Sequence, residues 1–135
     1  MTDFVLHAQL AKDSFLVTEL PLCSVRLIND ANFPWLILVP RVANISEVIQ
    51  LSTKEQQILW QESAMVSEVL TQLFTPDKLN LAALGNMVPQ LHLHHVVRYQ
   101  NDVCWPKPIW GQVSAKGYST DAAERRITQI QSAIN

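Results

Sequence analysis

At 135 residues the chain fits one domain, spanning 1–135, large enough to bury about two thirds of its unfolded surface around a single core. Ten Lys and Arg against twelve Asp and Glu give a net charge of -2, which supplies neither the basic footprint of a nucleic-acid binder nor an acidic tail. No apolar run reaches the roughly 18 residues of a membrane helix, and the first residues lack the basic flank and cleavage site of a secretory signal, so a cytoplasmic protein without a membrane partner is expected.

The opening "TDFVLHAQLAKDS" offers Asp3 as an N-cap for a short helix that packs as a flap or edge. "FLVTELPLCSVRLINDANFPWLILVPRV" holds three apolar, β-branched runs, separated by Leu20-Pro21, Asn29-Asp30 and Phe33-Pro34; these read as a three-stranded meander. Ser52 with Glu55 three residues later forms a capping box, and Ile58, Leu59, Met65, Val66, Val69, Leu70 and Leu73 follow at helical spacing, which predicts one long helix over 53–73. Thr75-Pro76-Asp77 ends it. "KLNLAALG" reads as a fourth strand and residues 90–98 as a fifth, joined as an antiparallel hairpin either by a turn at Gly85-Asn86 or by a loop through Pro89. An ordered loop carrying Trp105 and Trp110 precedes a last helix, which starts near Ser119 or Thr120 and has Ile127, Ile130 and Ile134 as its apolar stripe. The sum is α+β: a mostly antiparallel sheet of about five strands, one long helix laid on a face, and short terminal helices. Cys23 and Cys104 are far apart and lack CxxC spacing, so they read as buried thiols.

The chemistry concentrates in "VPQLHLHHVVRY", which holds three of the four histidines. Strand alternation puts Gln90, His92 and His94 on one face and Leu91, Leu93, His95 and Val97 on the other, so His92 and His94 can act together and His95 cannot join them. A metal site needs a third donor on that face, and none stands at motif spacing; no metal ligand is assigned. No carboxylate cluster suited to magnesium is evident either, so no cofactor is identified and a divalent requirement stays open. Two histidines on a solvated or hydrogen-bonded strand face are the plain structural alternative.

"LNLAALGNMVPQLHLHHVVRY" resembles the active-site strand of the histidine triad (HIT) superfamily, whose pattern is His, apolar, His, apolar, His and two apolar residues. In the register that aligns Arg98, Gln90 stands at the first histidine, His92 at the second and His94 at the third. Gly85, Asn86 and Val88 resemble the Gly-Gln-x-Val loop ahead of the triad, "RLIND" the strand end that reaches a nucleotide ribose, and "WLILVPR" the strand after it. Meander, capped helix, hairpin and triad strand follow the family order over about residues 14 to 100.

The resemblance implies a nucleotide-binding hydrolase or nucleotidyl transferase acting at the α-phosphate of nucleoside monophosphate conjugates. His92 would be the nucleophile and form a nucleotidyl-histidine; imidazole is largely neutral at pH 7 and needs no separate base. His94 would contact a phosphate or leaving-group oxygen, and Asn29 and Asn86 would bind ribose and phosphate, with a plain turn asparagine as the competing reading of each. The Gln90 main-chain carbonyl keeps the acceptor that fixes the His92 tautomer, so losing the first imidazole need not inactivate the chain. Met87 replaces a serine or threonine that often binds phosphate in the family. Trp35 stands where the family carries another histidine near the site, and Trp105 and Trp110 flank the loop after the triad; an aromatic there could stack on a base, with core packing the favoured reading. Asp30 is a weaker ribose candidate than Asn29, Arg98 a structural or dimer-contact cation, and His95 a hydrogen-bonded interior or interface histidine. The resemblance also implies a homodimer. The alternative is a non-catalytic nucleotide-binding module with a diverged triad; a third reading is an interaction protein whose histidines bind metal.

Overall fold

The computed structural model describes residues 3–135. Its elements run α1 (Ala8–Asp13), β1 (Ser14–Glu19), β2 (Cys23–Ile28), β3 (Trp35–Pro40), a 3-10 turn (Val48–Gln50), α2 (Thr53–Phe74), β4 (Lys78–Ala82), β5 (Leu93–Arg98) and α3 (Thr120–Ile134). The strands form one antiparallel sheet in the order β1-β2-β3-β5-β4. β1 to β3 are the expected meander, and β5 enters between β3 and β4. Among the described residues no helix is long and apolar enough to cross a membrane.

The pleat divides the side chains into two sets. Leu27, Leu36 and His95 are cross-strand neighbours facing α2, as are Val25, Leu38 and Leu93. The apolar members pack with Leu59, Val66 and Leu70 of α2 and Ile130 of α3 in the main core. Helix α2 starts as its sequence requires: the Ser52 hydroxyl accepts from the Glu55 amide at 3.1 Å and the Glu55 carboxylate accepts from the Ser52 amide at 2.8 Å. Buried Glu62 ties the same helix to the sheet by accepting from the Leu22 and Cys23 amides, both at 2.9 Å. Burial and the adjacent Glu62 push the Cys23 thiol upward in pKa, which makes it a packing residue with no thiolate chemistry. In α3, Ile130 is buried and Ile127 and Ile134 pack against the main core, the stripe their spacing predicts.

The opposite face is covered in two pieces. At one end Leu10, with Phe4 and Leu6, packs on Ile37 and Val39. At the other end Phe33, Val96 and Ile109 cluster with Trp35, Cys104 and Trp110. His94 pairs across the sheet with Ile37, so it sits where the two covers meet. Both cysteines are free, Cys23 buried and Cys104 partly so.

Three local expectations are corrected. α1 is capped by the His7 ring, whose Nδ1 accepts from the Gln9 amide at 3.0 Å, and not by Asp3; the residues between them run outside the helix, with Phe4 and Leu6 packed on the sheet. β4 and β5 pair antiparallel as expected, but β4 stops at Ala82 and β5 begins at Leu93, so the connection is the longer alternative and runs over residues 83–92, past Pro89. Within it Leu91 donates its amide to the Ile45 carbonyl at 2.8 Å, and this bond to the loop after β3 replaces the ladder bond a strand from residue 90 would make. Gly85 adopts φ +75°, a conformation that favours glycine.

Candidate active site

The gap between the two covers is a cleft of about 750 Å³, with His92, His94, Trp35 and Trp110 on one side and Ile28, Asn29, Asp30, Leu10 and Lys12 among its other walls. The 84–88 segment of the long connection, Asn86 included, completes the rim. His92 lies just before β5, yet the pleat carries through: the His92 and His94 ring centroids are 4.8 Å apart, edge to face. His95 points the other way. Its Nε2 lies 2.7 Å from the Ser63 hydroxyl on α2 and its Nδ1 donates to the Leu93 carbonyl at 3.1 Å, so it is an interior residue. Burial holds the His95 imidazole down at about 4, against the opposing effect of the Leu93 carbonyl.

Each cleft imidazole is oriented by its Nδ1. That of His92 is 2.7 Å from the Gln90 main-chain carbonyl, which only accepts; Nδ1 therefore carries the hydrogen and Nε2 the lone pair. That of His94 is 3.0 Å from the Trp35 indole nitrogen, which only donates, so here Nδ1 carries the lone pair and Nε2 the hydrogen. Burial first, then the neighbouring His92 and His95, pushes His94 down to about 3, and at neutral pH it is uncharged. The pair thus presents one acceptor and one donor from adjacent rings.

Asn29 lines the cleft while its side-chain oxygen accepts from the Tyr118 amide at 2.8 Å, leaving the amide NH2 as its free polar group. Asp30 is buried; one oxygen accepts from the Asn32 amide at 3.0 Å and the Lys116 amide at 3.2 Å. The 114–118 segment is thereby laced to the end of β2. The Gln90 side chain does not enter the cleft: it accepts from the His7 amide and donates to the Val5 carbonyl, both at 2.8 Å, clasping the N-terminal arm. Met87 stands at the rim, 94% exposed. Arg98 is buried in a structural role, with Nε 2.8 Å from Asp102, a second donation to Asp102 at 3.1 Å, and its guanidinium near the Phe33 and Trp105 rings. Among the described residues no three His, Cys, Asp or Glu side chains are grouped to hold a metal ion.

Trp35 and Trp110, for which core packing is the favoured reading of the sequence and base stacking the alternative, line the cleft while packing on the Phe33 cluster. Trp110 meets the His94 ring at 5.2 Å and Trp35 at 6.3 Å, both edge to face. The sequence signal for Trp35 is its place where the family carries a histidine near the site. Nothing local to Trp110 announces that its loop folds back over β5.

Sheet topology, the helix on one face and paired imidazoles at the mouth of β5 define a small α+β protein of the histidine triad kind. The HIT domain family matches residues 9–101, and the chain belongs to that family. Solved structures agree over nearly the full length. A histidine triad protein from Marinobacter aquaeolei VT8 is 47% identical, with 98% of this chain and 97% of that one covered at a TM-score of 0.96. One from Bradyrhizobium japonicum is 39% identical, with 99% and 100% covered and a TM-score of 0.96. One from Sinorhizobium meliloti 1021 is 37% identical, with 96% of each covered and a TM-score of 0.94. A comparison with curated proteins found no match.

Proposed function

We propose that the protein is a nucleotide hydrolase or nucleotidyl transferase that works at the α-phosphate of nucleoside monophosphate conjugates. The observation that carries this reading is the orientation of His92: its Nδ1 hydrogen is tied to the Gln90 carbonyl, so the Nε2 lone pair is the ring's nucleophilic end, in a ring that lines the cleft. Nε2 attacks phosphorus and expels the leaving group, and water resolves the nucleotidyl-histidine. His94 donates from Nε2 to a phosphate oxygen, a preorganised donor on a buried side chain. Asn29 offers its NH2 to ribose and Asn86 its amide to phosphate. Gln90 contributes through its carbonyl. Its side chain, by holding the N-terminal arm, keeps the Leu10 and Lys12 wall in place.

In this reading the protein is cytoplasmic, takes a soluble nucleotide and forms a homodimer. The free edge of β4, with Leu81 half exposed, supports a contact there by sheet extension; sedimentation of the purified chain tests it, and a monomer at micromolar concentration refutes it. The catalytic assignment is tested by incubating wild type and His92→Ala with a panel of AMP conjugates and following AMP. Release by wild type alone is expected. Nucleotide binding without turnover selects the binding-module reading, and equal release by both proteins removes His92 from the chemistry.

A further inference from the structure

His92 and His94 are adjacent, alike in residue type and opposite in wiring. The His92 Nδ1 meets an acceptor; the His94 Nδ1 meets a donor that can never accept. Trp110 packs edge-on against the His94 ring at 5.2 Å and the Trp35 ring lies tilted against it at 5.6 Å, so the buried imidazole is held between two indoles and a flip that exchanges its nitrogens is resisted. Two consequences follow for proton transfer. Releasing the Nε2 hydrogen would leave an imidazolate, because Nδ1 has no proton to fall back on. Placing a second proton on Nδ1 would set two donors against each other at 3.0 Å, in surroundings that already disfavour charge. His94 therefore donates a hydrogen bond and keeps its proton.

We propose that Trp35 is a positioning residue that fixes His94 as a hydrogen-bond donor without acid function, and that the protein accordingly acts on nucleotide conjugates whose leaving group departs as a stable oxyanion, mixed anhydrides and activated esters, in preference to phosphoramidates. The inference rests on the reading of His92 as nucleophile. In the first step a bond forms from His92 Nε2 to the α-phosphorus while the bond from phosphorus to the leaving oxygen breaks with its electron pair; carboxylate, phosphate or phenolate leaves without receiving a proton. In the second, a water oxygen bonds to phosphorus, the phosphorus–nitrogen bond returns its pair to Nε2, and the water proton passes to solvent. An amine cannot leave in this way, since it must be protonated as the bond breaks. The other titratable side chains lining the cleft, Lys12 and Asp13 on α1 and Asp30 after β2, are hydrogen-bonded to neither imidazole.

Two measurements test this. Nitrogen-15 NMR of the wild-type imidazoles at pH 7 needs no variant and should show His94 protonated at Nε2 and bare at Nδ1; a proton on Nδ1 overturns the proposal. Kinetics should then give kcat/KM for the 4-nitrophenyl ester of AMP at least about 100-fold above that for AMP phosphoramidate, the scale of a missing general acid. In Trp35→Phe, where Nδ1 is free to be protonated, the ratio should narrow as phosphoramidate turnover rises, and in Trp35→His it should narrow too. Wild-type phosphoramidate turnover matching the ester overturns the substrate preference while leaving His92 catalysis intact. Turnover of neither compound overturns both.

Discussion

Two of the buried imidazoles, His94 and His95, make stability depend on pH. His94 and His95 have folded pKa values pushed down to about 3 and about 4, by burial above all, from an ordinary 6.5. As pH falls through 6.5 the unfolded chain takes up protons at both positions and the folded chain does not. The unfolded state then binds more protons, so stability is full above pH 6.5 and is lost as pH falls toward the folded values. At pH 5 each histidine forfeits about 2 kcal/mol and the two together about 4, a large part of a total of roughly 5–15 kcal/mol. Replacing the Ser63–His95 pair by Ala and Leu removes one titration while filling the site with apolar atoms and leaving no widowed hydroxyl. Urea denaturation of wild type and Ser63→Ala/His95→Leu at pH 7.5, 6 and 5 should show the double variant losing about 2 kcal/mol less over that range. Parallel pH curves would refute the assignment of His95 as a neutral buried group.

Arg98→Ala should destabilise the protein by about 3–5 kcal/mol, because Asp102 would stay buried without its cation. Burial opposes ionisation of Asp102, but Arg98 and the Tyr99 and Cys104 amides hold it at about 2; Arg98→Ala combined with Asp102→Ala should therefore lose less than Arg98→Ala in the same urea titration. Gln90→Ala should release the N-terminal arm, with the His7 amide exchanging with deuterium at least about tenfold faster and the amides of β5 unchanged. Ser52→Ala should remove about 1 kcal/mol through the capping box of α2, read as a lower urea midpoint at constant slope.

What was legible in the sequence was local. The capping box at Ser52 and Glu55, the periodic apolar residues behind it, and the stop at Thr75-Pro76 define α2 from residues within a turn or two of each other. The meander was readable for the same reason, and alternation alone put His92 and His94 on one side and His95 on the other. What was not legible depends on distant partners. The Gln90 side chain meets Val5 and His7, more than 80 positions away, and that contact both draws out the arm and leaves His7 to cap α1. β5 starts late because Leu91 bonds to Ile45. Trp35 and Trp110 looked like core because a tryptophan in a small domain usually is. Their place beside His94 comes from β3 pairing with β5 and from a loop that doubles back, neither of which leaves a local trace.

The proposed reaction places the nucleotide on His92 Nε2. Its most direct test is intact-protein mass spectrometry of wild type and His92→Ala, quenched within seconds of mixing with the 4-nitrophenyl ester of AMP, with the modified peptide then mapped. An adenylyl group on the peptide containing His92, absent from the variant, is the predicted result. An adduct on another residue, or turnover by His92→Ala at the wild-type rate, would contradict the account.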